Sequence, residues 1–271
     1  MIDLHHRKEC PICSCPDSIL LCDAVPTINE ASDLTIELRE CTACGHWWNT
    51  PCPTQEALID LYKSASPYVI GKHWEDDIRR PREEGVFHIM INTFRPDMSD
   101  LRYLEVGCGG GHLIRSMREK VGLCYGIEPG SWASETEGIV GEIDQIPKNL
   151  AFDILVFQDV IEHTENPIDT LKMYTERART GATLFVAFPN KDAPPAQREK
   201  EGWDMIRPFG HLQYFSRKSL SLLMKKAGWE IVKLRKGPNR FPLTEFKTYN
   251  PFRTLKRLRN NDQWYVQAIK K

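Results

Sequence analysis

Between Glu105 and His112 the chain reads EVGCGGGH, and Gly107, Gly109, Gly110 and Gly111 leave that backbone almost bare of side chains. Glycine is used this densely where a chain must turn sharply or let a ligand come against the main chain. A loop of this kind, between an apolar strand and a helix, is where a nucleotide-like molecule sits in an open α/β sheet. The dinucleotide fingerprint does not fit: counted from Gly107 it needs a glycine at 112, and His112 stands there. Instead Glu105 precedes the glycines, and Glu128 closes the next strand in YGIEPG, about where a carboxylate grips a ribose diol.

Cysteine carries a second kind of chemistry. Seven of the nine cysteines precede residue 53. CPICSC supplies Cys10, Cys13 and Cys15, Cys22 follows, and CTACGHW supplies Cys41 and Cys44. Two Cys-x-x-Cys knuckles joined by a strand-rich stretch can set four thiolates tetrahedrally around one zinc. Cys10, Cys13, Cys41 and Cys44 are the expected ligands, with Cys15, Cys22 and His46 in reserve. Four thiolates close the site, so the zinc is expected to be structural. Reduced, buried cysteines without metal are the alternative.

The composition is that of a globular protein, with 41% hydrophobic and 27% charged residues and a formal net charge of −1. No apolar run approaches the ~20 residues that span a bilayer. The opening MIDLHHRKEC lacks the apolar core of a secretory signal. The expectation is a cytoplasmic protein with no membrane partner, a monomer or homodimer. Positive charge gathers late: Lys225, Lys226, Arg235, Lys236, Arg240, Arg253, Lys256, Arg257 and Arg259 face only Glu230 and Glu245. This is either a solvated surface or an attraction for an anionic substrate.

Three segments must position these residues. Residues 1–55 form the expected zinc module. Residues 56–98 read as a helical linker or lid, with helical spacing at Leu58, Leu61 and Tyr62. From 99 to 271 strands and helices alternate: RYLEV, HLIRSMREKV, LCYGIE, FDILVFQDV, NPIDTLKMYTERA, GATLFVAFP, SRKSLSLLMKKAG, then WEIVKLRK and QWYVQAIKK as a closing strand pair. That alternation predicts a mainly parallel sheet covered on both faces.

LEVGCGGG, YGIEPG, GEIDQIP, FDILVFQDVIEHTENP and GATLFVAFPN, in that order, resemble the successive motifs of class I S-adenosylmethionine (SAM)-dependent methyltransferases. GHLQYFSRKSLSLLMKKAGWEIV is similar to a stretch frequent in a branch with N-terminal cysteine-rich modules, which includes sugar C-methyltransferases. The resemblance implies a Rossmann-like, seven-stranded α/β fold beside a small zinc-ribbon-like module. It further implies that SAM lies against Glu105, Gly107, Cys108, Gly109 and Gly111, with Glu128 and Pro129 at the ribose. Ile143 and Asp144 would flank adenine, Gln158 and Asp159 would follow the fourth strand, and Tyr68 would belong to a lid with Tyr62, His73 and Trp74.

Methyl transfer needs alignment of nucleophile, methyl and sulfur, and removal of a proton where the nucleophile carries one. Histidine suits the second task. His211 is the preferred base, with the Tyr214 hydroxyl orienting the acceptor; His163 is the second candidate. Asp159 with Glu162 and His163 also resembles a divalent-metal cluster of some family members. Asn190, Arg198, Trp203 and Arg207 are expected around the substrate mouth. The favoured acceptor is a small molecule such as a sugar, nucleotide sugar or other anionic metabolite, and nucleic acid is disfavoured because residues 1–60 mix acids with bases. The competing functions are an RNA base methyltransferase gripping RNA through the zinc module and a non-catalytic scaffold.

Overall fold

The computed structural model describes residues 2–25, 35–64, 86–130, 136–207, 209–237 and 261–271. Tyr68, His73, Trp74 and the basic positions Arg240, Arg253, Lys256, Arg257 and Arg259 lie outside the described residues. No described helix is long and apolar enough to cross a membrane.

The cysteine-rich region is built from short strands at Leu4–His5 (β1), Ser18–Val25 (β2), Ile36–Cys41 (β3), Trp47–Thr50 (β4) and Cys52–Pro53 (β5). The helix Gln55–Lys63 follows, as the spacing of Leu58 and Leu61 predicts, and Thr54 caps it by accepting from the Ala57 N–H at 3.3 Å. Beyond the helix Val86–Asn92 the alternating pattern takes over. Its strands are Met98–Val106 (β6), Val121–Ile127 (β7), Ile139–Val140 (β8), Phe152–Gln158 (β9) and Ala178–Pro189 (β10), with a short strand at Gln213–Tyr214 (β11), then Trp229–Gly237 (β12) and Gln263–Lys270 (β13).

Seven of these form one sheet in the order β12-β13-β10-β9-β6-β7-β8, parallel except at β13, which runs antiparallel to both its neighbours. The chain runs outward from β6 to β8 on one side and returns through β9 to β12 and β13 on the other. The order therefore reverses between β6 and β9, and ligands in such sheets sit at the carboxyl ends of those strands. β9 is covered on both faces, with Ile154, Leu155, Val156 and Phe157 all fully buried, and so reads as an unbroken apolar run.

Alternate residues face opposite layers. Leu104, Leu155, Phe157, Leu184 and Val186 share one core with Leu171, Leu220 and Leu223 from the helices Pro167–Thr175 and Arg217–Lys226. Tyr103, Ile154, Val156 and Phe185 face the other, with Ile114 and Met117 of the helix His112–Arg118 and Ile91. The edge strand β12 instead shows Lys233 and Arg235 outward, a charged edge that discourages further strand pairing.

The cysteine-rich sheet runs β11-β4-β3-β2, so its fourth strand comes from a segment more than 160 residues away in the chain. Buried polar bonds hold that strand. His46 Nε2 donates to Gln213 Oε1 at 2.8 Å, and Gln213 Nε2 donates to the Thr164 and Glu165 carbonyls, each at 3.2 Å. Ser216 Oγ donates to the Cys44 carbonyl at 2.7 Å. Cys10, Ile12, Cys44 and Trp48 continue into the same apolar core as Phe215 and Leu220.

Gln213 thus satisfies three groups within the interior. Gln213→Ala is expected to lower unfolding stability by about 2–4 kcal/mol, because buried polar groups lose their partners. Lys233→Ala on the exposed edge should stay within about 0.5 kcal/mol of the parent. Urea denaturation of both variants checks the contrast.

Candidate active site

At the end of β6 the glycine loop folds back on the end of β7: Gly107 and Cys108 N–H groups both donate to the Ile127 carbonyl, at 2.8 and 3.1 Å. Gly107 has φ +67°, and a Cβ there would lie 2.5 Å from Val160 Cγ2, so the loop and the end of β9 are in contact. Gly109, at φ +52°, is different, since a Cβ there would meet nothing within 4 Å. Its left-handed backbone borders open space, as a surface must that receives a ligand. Glu128 is buried, and its carboxylate accepts from the Gly109 and Gly130 N–H groups, each at 2.9 Å. Pro129 follows it, half-buried.

Glu105 is buried near Tyr103, and its charge adds to the rise that burial imposes on the Tyr103 hydroxyl. Burial, reinforced by the charges of Glu105 and Glu128, raises the Cys108 thiol, so it stays protonated beneath the loop. Past β8, Ile143 and Asp144 stand on a single 3-10 turn, Ile143 half-buried and Asp144 exposed. All these residues leave carboxyl ends of neighbouring strands.

The end of β9 supplies the opposite wall. Gln158 Oε1 accepts from His88 Nε2 at 3.2 Å, and Asp159, at φ +52°, accepts on Oδ1 from Gln263 Nε2 at 3.2 Å. The next turn, Ile161–His163, carries Glu162, which is fully buried. Burial, with the nearby Asp159 charge, holds the Glu162 carboxyl well above the usual carboxylate range. His163 and His211 meet here, their rings 4.8 Å apart and nearly perpendicular at 82°. Burial, aided by the Arg207 charge, lowers His163 to about 4. Burial also holds His211 well below its ordinary value, with His163 and Arg207 adding to the effect. Both imidazoles are therefore neutral at pH 7 and offer lone pairs.

Tyr62 bridges the two walls. Its hydroxyl is 3.0 Å from His163 Nδ1, and Glu128 and Glu162 both add to the rise that burial imposes on its pKa. The helix Gln55–Lys63 thus reaches across the carboxyl end of the sheet.

Two expectations about the pocket are corrected. The Tyr214 hydroxyl does not face an acceptor: it is fully buried, donates to the His211 carbonyl at 2.9 Å and accepts from the Arg207 N–H at 3.2 Å. Asn190 likewise spends its amide on the backbone, donating to the Asn261 carbonyl at 2.8 Å and accepting from the Asp192 N–H at 3.0 Å. The structure also adds Asn49, whose Nδ2 donates to the His211 carbonyl at 2.8 Å. A lone asparagine at the end of WWNT carries no motif, so only the fold reveals it. Tyr68 falls outside the described residues.

At the far side of the cysteine-rich sheet, Cys10, Cys13, Cys41 and Cys44 converge, all four sulfurs within 4.8 Å of one another. The Cys10–Cys44 and Cys13–Cys41 sulfur pairs are 3.6 and 3.4 Å apart. A tetrahedron of thiolates around zinc has edges of about 3.8 Å, so the donor set fits. Gly45, at φ +67°, donates its N–H to the Cys41 carbonyl at 2.9 Å and closes the second knuckle. His46 is instead committed to Gln213, and the Cys15 thiol lies against the Asp17 carbonyl at 3.7 Å.

Comparison with known proteins bears on this geometry. A family described as a methyltransferase domain matches residues 78–234. The chain is 27% identical over 162 residues to the ubiquinone biosynthesis O-methyltransferase of Pseudoalteromonas translucida, covering 51% of this chain and 66% of that one. It is 25% identical over 170 residues to the tRNA U34 carboxymethyltransferase of Shewanella woodyi, covering 56% and 51%. The chain thus spans from half to just under two thirds of the length of these two relatives. Among solved structures, a chain from the complex between the Haloferax volcanii Trm112 methyltransferase activator and a methyltransferase matches with a TM-score of 0.54 at 14% identity, covering 79% of this chain and 97% of that one. The [4+2]-cyclase SpnF matches with a TM-score of 0.54 at 16% identity, covering 81% and 97%. At such identities these two structures speak for the fold alone. The family match spans β6 to β11 and most of β12, with the glycine loop, Glu128 and the turn after β9: the chain belongs to the methyltransferase-domain family.

Proposed function

We propose that the chain methylates a small molecule, a sugar, nucleotide sugar or other anionic metabolite. The reading rests on one observation: the glycine loop with Glu128 and the group of Glu162, His163 and His211 face the same strand ends, with Tyr62 between them. Bound SAM supplies a methyl already activated on a sulfonium sulfur. Gly107, Gly109 and Gly111 bring bare backbone to the ligand, and Glu128, held by two amides, is assigned to the ribose hydroxyls. Glu105 takes the methionine ammonium, Ile143 and Asp144 the adenine edge, and Gln158 and Asp159 complete the wall.

The imidazole pair handles the acceptor's proton. His211 Nδ1 donates to the Met205 carbonyl at 2.7 Å, which leaves Nε2 as the atom with the lone pair. Arg207 is exposed beside the pair and suits an anionic acceptor. Residues 1–55 are assigned to a zinc module, 56–98 to a cover over the site and 99–271 to the methyltransferase domain. Tetrahedral zinc on Cys10, Cys13, Cys41 and Cys44 would fix the knuckle that carries His46 and Cys44, and through them β11. The tRNA-modifying relatives favour one second reading, an RNA acceptor; strongly salt-dependent retention of RNA would support it over a small molecule.

Calorimetric titration with SAM tests the donor site. Glu128→Ala is expected to weaken binding by roughly 100-fold, as two charge-assisted hydrogen bonds are lost. Gly109→Ala should fold and yet bind SAM poorly, whereas Gly107→Ala should lose stability through its clash with Val160. No binding to the folded parent protein would instead support a scaffold. Metal analysis should find one zinc in the four-cysteine site, and Cys41→Ser should lose it with a fall in Tm of at least roughly 5 °C. With an acceptor in hand, His211→Ala should lower kcat by about 100- to 10,000-fold while SAM affinity stays near the parent value.

A further inference from the structure

One amide at the ligand edge of the sheet is only half satisfied. Because β13 runs antiparallel, its first residue, Gln263, stands level with Pro189 at the carboxyl end of β10. Gln263 is 2% exposed, and its Oε1 is buried without a hydrogen-bond partner among the described residues. Its Nε2 donates to Asp159 Oδ1 at 3.2 Å. An ionised carboxylate only accepts, so the amide nitrogen must face Asp159 and the oxygen must point elsewhere. The strands on either side bring no side-chain donor, because Gln263 stands opposite Pro189 of β10 and Gly237 of β12. A buried carbonyl left unpaired loses its hydration with nothing in exchange. Asp159, at φ +52°, is a non-glycine residue in the left-handed region, and backbone strain of that kind collects at ligand sites.

From this we infer that Gln263 is a specificity-determining residue for the methyl acceptor, its Oε1 accepting a hydrogen bond from an acceptor hydroxyl other than the atom that is methylated. The place in the sheet separates Gln263 from the methyl donor. β13 lies three strand spacings of ~4.8 Å from β6, whose loop is assigned to SAM, with β9 and β10 between them. Its partner Asp159 instead lies near enough to Glu162 for its charge to act there, beside His163 and His211. A ligand that turns an apolar surface to Gln263 leaves the carbonyl unpaired, whereas a polyol satisfies it. A site built to bond a hydroxyl rejects an analogue lacking it far more strongly than an apolar pocket rejects an added group. The inference rests on the methyl-transfer reading and deepens it: the acceptor is a polyhydroxylated molecule, and the closing strand β13 takes part in choosing it.

The test uses the full-length protein saturated with S-adenosylhomocysteine, which fills the donor site and has no methyl to transfer. Binding of the methyl glycosides of glucose, galactose and mannose is read by saturation-transfer NMR. At least one should bind the parent. Gln263→Met, which keeps the side-chain length and removes both polar atoms, should weaken that binding by roughly tenfold or more. S-adenosylhomocysteine affinity, measured by calorimetry in parallel, should be kept in the variant, which also shows that it folds. One monodeoxy analogue of the bound glycoside should then bind parent and variant alike, because the hydroxyl that Oε1 accepts from is gone. No glycoside binding to the parent, equal affinity in Gln263→Met, or the same loss for every monodeoxy analogue overturns the assignment. S-adenosylhomocysteine binding without glycoside binding overturns this inference and leaves methyl transfer standing; glycoside binding without S-adenosylhomocysteine binding does the reverse.

Discussion

The segment His211–Ser216 is hydrogen-bonded from both sides, and the rest of the site depends on that constraint. From the sheet side, the Leu212 N–H donates to the Glu162 carbonyl at 2.7 Å and Trp264 Nε1 to the Phe215 carbonyl at 3.1 Å. From the cysteine-rich side, the Asn49 N–H donates to the Leu212 carbonyl at 3.1 Å, its side chain to the His211 carbonyl at 2.8 Å, and His46 to Gln213 at 2.8 Å. A segment with its main-chain groups committed on both sides has little freedom to shift. His211 stands two residues before β11, and its ring position follows from that of the segment.

The cysteine-rich region is then more than an appendage. Its metal-type knuckle ends at Cys44, whose carbonyl accepts from Ser216 Oγ at 2.7 Å, and the neighbouring Ala43 carbonyl accepts from Lys218 Nζ. Order at the four sulfurs is transmitted through two residues to the start of the helix Arg217–Lys226 and to β11. The four-cysteine cluster can therefore govern the geometry of a site built on a different sheet. The coupling is covalent and hydrogen-bonded at every step, with no long-range electrostatic effect required.

The opposing wall follows a different logic. The carboxyl ends of parallel strands bring together groups that would repel or stay hydrated in an open chain: Glu105, Glu128, Asp159 and Glu162 all leave neighbouring strand ends. Glu128 is stabilised by two backbone amides and Asp159 by Gln263, so each has a local donor. Glu162 is the most deeply buried of them, and burial, with the Asp159 charge, holds it well above the usual carboxylate range. These acids are therefore treated unequally, two held by donors and one by burial.

By itself the sequence determined the sheet, the glycine loop and the sulfur cluster. Each is written locally: an apolar strand before EVGCGGGH, an acid after the next strand, alternation of strand and helix, and two Cys-x-x-Cys knuckles. Backbone turns and period-two burial act over a few residues, so a single pass along the chain recovers them. The tertiary structure decided what depends on distant partners. It placed Tyr214 and Asn190 against backbone in place of the acceptor, and it brought His46 to Gln213 and Asn49 to His211. It also set His163 beside His211, 48 residues apart, next to the buried Glu162. Such pairings carry no periodic signal, because they arise only when the β11 segment is held between two sheets whose strands come from opposite ends of the chain.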